Sequence, residues 1–78
     1  MKKILDLLVE LHPEYDFLGS QDFLEDGYLD SFDIANLIEK IETTYNIELQ
    51  PKDVIPENFL NLEALYNLLG NYGISNDV

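Results

Sequence analysis

Three stretches of the chain repeat apolar residues at the spacing of one helix face, and the intervals between them do not. Ile4, Leu7, Leu8 and Leu11 form the first set, and His12-Pro13 stops it, which predicts a helix over about residues 2 to 12. Ile34, Leu37, Ile38, Ile41 and Tyr45 form the second and clearest set, predicting a helix from Ser31 to Tyr45. Asp30 is a good N-cap with Asp33 three residues on, close to the capping-box pattern, and Asn46 is a natural C-cap that tolerates the left-handed conformation. Leu62, Leu65, Leu68, Leu69 and Tyr72 predict a last helix over about residues 62 to 69, with Gly70 near its end.

The intervals read differently. Residues 13 to 29 mix Pro13, Gly19, Ser20 and Gly27 with Tyr15, Phe17, Leu18, Phe23 and Leu24 without a sustained period, so they form a long loop pinned by its own apolar side chains. Ile47, Glu48 and Leu49 are a short extended link, Pro56-Glu57-Asn58 can open one short helical turn, and Gly73 to Val78 are expected to fray. The fold class is therefore all-α: a small bundle of three main helices plus one short helix, with a long loop between helices one and two. Phe17, Phe23, Phe32 and Phe59, with Ile34, Leu37 and Ile41, are expected to fill its core.

Seventy-eight residues hold one core and no second lobe, so residues 1–78 read as a single domain. With no cysteine, neither a disulfide nor a thiolate zinc site supports it, and packing must suffice. Sixteen acidic residues against four lysines give a net charge of −12, which repels nucleic acid phosphates and anionic membranes and suits partners with basic surfaces. No apolar run approaches the roughly 18 residues of a membrane span. Asp6 and Glu10 interrupt any secretory h-region after Lys2 and Lys3, so a cytoplasmic monomer is expected.

Most catalytic chemistry lacks its residues. There is no cysteine nucleophile, no glycine-rich phosphate loop, and a single histidine, His12, placed where it favours the negative end of helix one. A domain this small also has little volume for a substrate cleft, so no residue is assigned a catalytic role and the chain is read as no enzyme.

One constellation stands out: Asp26-Gly27-Tyr28-Leu29-Asp30-Ser31-Phe32-Asp33-Ile34, which ends the long loop and opens helix two. Ser31 falls in the first turn, where its hydroxyl is exposed and the positive helix end would favour a phosphate ester. Asp30 and Asp33 oppose such an ester in part, and their side chains can instead satisfy the capping N–H groups.

Asp30-Ser31-Phe32 resembles the signature of the acyl and peptidyl carrier proteins, Asp-Ser followed by a bulky apolar residue. The helix, long loop, Asp-Ser at the head of helix two, short helix near Pro56 and closing helix are similar to that family over essentially the whole chain. The resemblance implies that a phosphopantetheinyl transferase attaches phosphopantetheine from coenzyme A to Ser31. Acyl or aminoacyl groups would then ride on the arm as thioesters, loaded by a ligase and passed to an acyltransferase or synthase. It also implies that helix two, with Asp33, Glu39 and Glu42, docks on basic patches of those enzymes. Phe32 in place of leucine or methionine, and Gly27 three rather than two residues before Asp30, look more like stand-alone carriers of the D-alanyl type or of specialised pathways than the fatty-acid synthase carrier. The short length favours a discrete carrier over a piece of a megasynthase. The filled core implies that cargo stays outside the bundle.

Two other classes fit part of the sequence. Counted from Asp22, the residues Asp22, Asp26, Gly27, Asp30 and Asp33 fall in the register of an EF-hand calcium loop, although Leu24 occupies its third position and Asp33 stands where a bidentate Glu belongs. A non-covalent acidic adaptor, binding a basic partner through helix two, needs no modification of Ser31.

Overall fold

Helix α1 (Ile4–Leu11) begins where the Lys3 backbone N–H donates to the Asp6 carboxylate at 3.1 Å, and it turns Ile4, Leu7 and Leu8 into the core. The computed structural model describes residues 3–74; residue 2, expected to start this helix, and residues 75–78, most of the tail expected to fray, lie outside the described residues. Helix α2 (Ser31–Tyr45) has the expected bounds and buries Leu37, Ile41 and Tyr45. Helix α3 (Leu62–Gly70) runs one residue further than expected and buries Leu65, Leu68 and Leu69. The described residues contain no strand, so the all-helical bundle stands. None of their helices is long and apolar enough to cross a membrane.

Helices α2 and α3 end in the same way. Asn46 takes the left-handed conformation at φ 56°, and the Ile47 N–H reaches back to the Glu42 carbonyl at 3.2 Å. Gly73 does the same at φ 81°, with Ile74 N–H on the Leu69 carbonyl at 3.0 Å and Gly73 N–H on that of Gly70. Both are Schellman closures, in which the apolar residue after the left-handed one folds back onto the helix, and Ile47 and Ile74 each pack on the core. Gly73 and Ile74 are thus held, and the expectation of fraying from Gly73 onward is corrected for these two residues.

The short helix of the sequence reading becomes two 3₁₀ turns, Pro51–Asp53 and Pro56–Phe59, each with proline at its start, where a missing N–H costs nothing. The long loop contains a third, Phe17–Gly19. Tyr15 stacks on Tyr28 with ring centroids 4.5 Å apart, and Phe17 meets Phe23 edge-on at 5.2 Å, so the loop carries its own aromatic cluster as expected. Backbone bonds then fasten it: Phe23 N–H donates to the Leu60 carbonyl at 2.6 Å, and Asn61, which caps α3, donates its side-chain N–H to the Gln21 carbonyl. The loop is thereby tied at Phe23 to the start of α3 and delivers Asp30 to the start of α2.

Candidate functional site

Ser31 is the first residue of α2 and sits inside a reciprocal pair of backbone bonds. The Asp30 carboxylate accepts the Asp33 N–H at 2.9 Å, and the Asp33 carboxylate accepts the Asp30 N–H at 3.2 Å. These two bonds close a ring around residues 30 to 33 and fix the backbone on both sides of the serine. The alternative left open by the sequence is resolved: both carboxylates are turned to capping. Ser31 itself is exposed, and its hydroxyl enters no hydrogen bond among the described residues.

Asp33 has a second neighbour. His12, the residue that ends α1, brings its Nε2 to 3.0 Å from an Asp33 carboxylate oxygen and its Nδ1 to 3.5 Å from Glu14. The buried Nε2 meets no acceptor in line with its N–H, so the attraction to Asp33 is one of charge more than of a directed hydrogen bond. The Asp33 carboxylate holds the imidazole above its ordinary pKa; burial opposes this and Glu14 adds to it. Burial would lift the Asp33 carboxyl, but the imidazole and the Asp30 backbone N–H outweigh it and hold that carboxyl below its ordinary value. His12 therefore does lie at the helix end, as expected, with its side chain committed to the head of α2.

Beside Ser31 an open apolar groove of about 180 Å³ runs between α2 and the 3₁₀ segment, lined by Ser31, Ile34, Val54, Ile55, Pro56 and Phe59. Val54 and Ile55 stand 39% and 40% exposed on its wall, in the segment between Pro51 and Pro56. Phe32 corrects a core assignment: it is 74% exposed. The core stripe of α2 runs through residues 34, 37, 38, 41 and 45, and a residue two before Ile34 points to the opposite side of a 3.6-residue helix. A larger cleft, about 500 Å³ between α1 and α2, is bridged by the Lys40–Glu10 ion pair at 3.2 Å and does not include Ser31.

The chain matches no protein-family model, no curated protein and no solved structure.

The acids singled out in the sequence divide by task. Of Asp33, Glu39 and Glu42, only Glu39 is fully open; Asp33 caps α2, and Glu42 accepts the Leu49 N–H at 2.8 Å. The acids in calcium-loop register do not converge. Asp22 accepts the N–H groups of Leu24 and Glu25, Asp26 accepts the Ser20 hydroxyl at 2.6 Å, and Asp30 and Asp33 cap α2. Among the described residues no three or more His, Cys, Asp or Glu are placed to hold a metal ion. Gly27 has φ 75°, which explains a glycine there as a turn requirement.

Sequence reasoning missed the groove walls Val54 and Ile55 and the reach of His12 to Asp33. The first had a readable signal, two aliphatic residues in a proline-bounded segment with no helical partner. The second had none, because it depends on how α1 crosses α2.

Proposed function

We propose that the chain is a carrier protein whose Ser31 hydroxyl receives phosphopantetheine and which presents acyl or aminoacyl thioesters to partner enzymes. The observation that carries the reading is Ser31 itself: an unengaged, exposed hydroxyl on a rigidly capped helix start, at the mouth of an open groove. A transferase needs an oxygen it can reach from solvent and a backbone that holds still, and both conditions are met.

The residues present fit such a group. When bound, it supplies the thiol that this cysteine-free chain lacks. Asp30 and Asp33 already occupy the N–H groups of their cap, and their charges repel a phosphodiester on Ser31, so the arm is directed outward rather than folded onto the helix. Val54, Ile55 and Ile34 offer apolar contact to the stem of the arm without enclosing it. A groove of about 180 Å³ is smaller than pockets that bury a drug-sized ligand, roughly 300–1,000 Å³, and its floor includes the fully buried Phe59. Cargo therefore travels outside the bundle.

Partner enzymes, the phosphopantetheinyl transferase and the loading and accepting enzymes, would approach with basic surfaces. The net charge of −12 raises encounter rates without slowing release, and the exposed Phe32 beside Ser31 gives the encounter an apolar anchor. Incubation with coenzyme A and a broad-specificity transferase, followed by intact-protein mass spectrometry and fragmentation, should place one phosphopantetheine on Ser31. Ser31→Ala should fold normally and take none. A wild-type chain that stays unmodified with every transferase tried would leave an acidic helical adaptor.

A further inference from the structure

We propose that His12 is a positioning residue for Ser31, acting through Asp33: the imidazole at the end of α1 holds the carboxylate that closes the cap around Ser31. The inference rests on the carrier reading for the reaction it serves, and on geometry for the coupling. Asp33 has two tasks on one oxygen, accepting the Asp30 N–H at 3.2 Å and meeting His12 at 3.0 Å. A carboxylate held from both sides has little rotamer freedom, so the ring of bonds around residues 30 to 33 is kept closed by a residue some twenty positions earlier in the chain. Without His12, Asp33 can swing to solvent, the Asp30 N–H loses its acceptor, and the first turn bearing Ser31 frays.

Charge works in the same direction. Asp30 and Asp33 are two negative groups flanking the oxygen that must accept a phosphate, and an imidazolium against Asp33 offsets one of them. The groups that face His12 are Asp33 from α2, Glu14 from its own loop, and the Tyr15 ring at 5.1 Å. Further along the α1–α2 seam Lys40 pairs with Glu10 at 3.2 Å, and Glu39 stands exposed there as a further negative charge. Both carboxylates that contact His12 favour its charged form, so the coupling strengthens as the pH falls through the imidazole's range.

The test compares wild type, His12→Gln and Lys40→Ala. Glutamine is a neutral donor in place of the imidazole, and Lys40→Ala removes the Lys40–Glu10 ion pair between α1 and α2. The ratio of modification rates, wild type over His12→Gln, should rise about threefold to fivefold from about pH 8 to about pH 6, a cap-sized effect. The transferase's own pH dependence cancels in that ratio. Lys40→Ala should lower thermal stability and leave its own ratio to wild type flat with pH, as a purely structural tie would. Independently of any transferase, the amide signals of Asp30, Ser31 and Asp33 should titrate with the His12 imidazole in wild type and lose that inflection in His12→Gln. Flat amide titrations, or a flat wild-type to His12→Gln ratio, overturn the role of His12 while the carrier reading stands. A wild type that takes no phosphopantetheine overturns the carrier reading, and with it the reaction this residue would serve.

Discussion

Tyr72 donates its phenol hydrogen to the Asp53 carboxylate at 2.6 Å, and the Tyr72 phenol oxygen accepts the Gln50 backbone N–H at 2.8 Å. One hydroxyl at the end of α3 thus holds the turn Pro51–Asp53, and Asp53 in turn offers its carbonyl to the Asn58 side chain at 2.7 Å. Through this chain of contacts Tyr72 anchors the segment whose Val54 and Ile55 wall the groove beside Ser31.

Tyr72→Phe should therefore loosen the groove wall more than the bundle. The expected result is faster hydrogen exchange at Gln50 and in residues 53 to 55, with the protection of core amides such as Leu37 and Leu65 unchanged. The phenol's pKa is raised, first by its bond to Asp53. A raised value means that the neutral form is favoured in the fold, so the tie is complete below the ordinary tyrosine pKa, about 10, and is lost as pH rises beyond it. Alkaline titration should release the segment in wild type; in Tyr72→Phe it should already be released.

Phe32 and Phe59 are the same residue type with opposite fates, 74% and 0% exposed. Phe59→Ala should cost about 3–5 kcal/mol, enough to unfold a marginal domain, because it empties core volume that the two 3₁₀ turns cannot refill. Phe32→Ala should change stability by no more than about 0.5 kcal/mol and should instead weaken transfer to partner enzymes. Urea midpoints of the two variants decide between this picture and a core role for Phe32.

That contrast also marks where the sequence is legible. The bounds of α2, its Asp30–Asp33 cap and its Asn46 end depend on residues within a few positions of one another, and a reader of the sequence has all of them. Phe32 was readable too, since the 3.6-residue period places it off the stripe of Ile34, Leu37 and Ile41; residue type argued for burial and periodicity argued against it. The Tyr72–Asp53 and His12–Asp33 contacts join residues 19 and 21 positions apart, and no local pattern encodes them. The openness of Ser31 lies between these cases: the first-turn position was visible, whereas the groove beside it depends on where Val54 and Ile55 are carried.

Asp30→Ala removes the acceptor for the Asp33 N–H and should cost about 1 kcal/mol, while Asp30→Asn retains an acceptor and should cost less. Asn46→Gly relieves a non-glycine residue at φ 56° and should gain a few tenths of a kcal/mol, about 0.5. The pair of changes acts on opposite ends of one helix and should be additive within about 0.5 kcal/mol. Thermal unfolding of the three single variants and of the Asp30→Ala, Asn46→Gly double variant measures this directly.

The His12–Asp33 pair contributes a pH dependence to the stability of the fold. His12 has a raised pKa in the fold, so its contribution is complete below the ordinary imidazole value, about 6.5, and disappears as pH rises through the folded value. Asp33 has a lowered pKa, so its contribution is complete above the ordinary carboxylate value, about 3.9, and disappears as pH falls through the folded one. Both conditions hold between about pH 4 and about pH 6.5, and there imidazolium faces carboxylate. The net charge of −12 deepens the trend, since protonating His12 also reduces the self-repulsion of the acidic fold. Wild type should be most resistant to urea in that window and lose up to about 1 kcal/mol toward about pH 8, the worth of a partly exposed ion pair. His12→Gln should lose the decline between about pH 6 and about pH 8, and added salt should narrow the difference between the two proteins. Equal pH profiles for wild type and His12→Gln would mean that the contact contributes nothing to the fold.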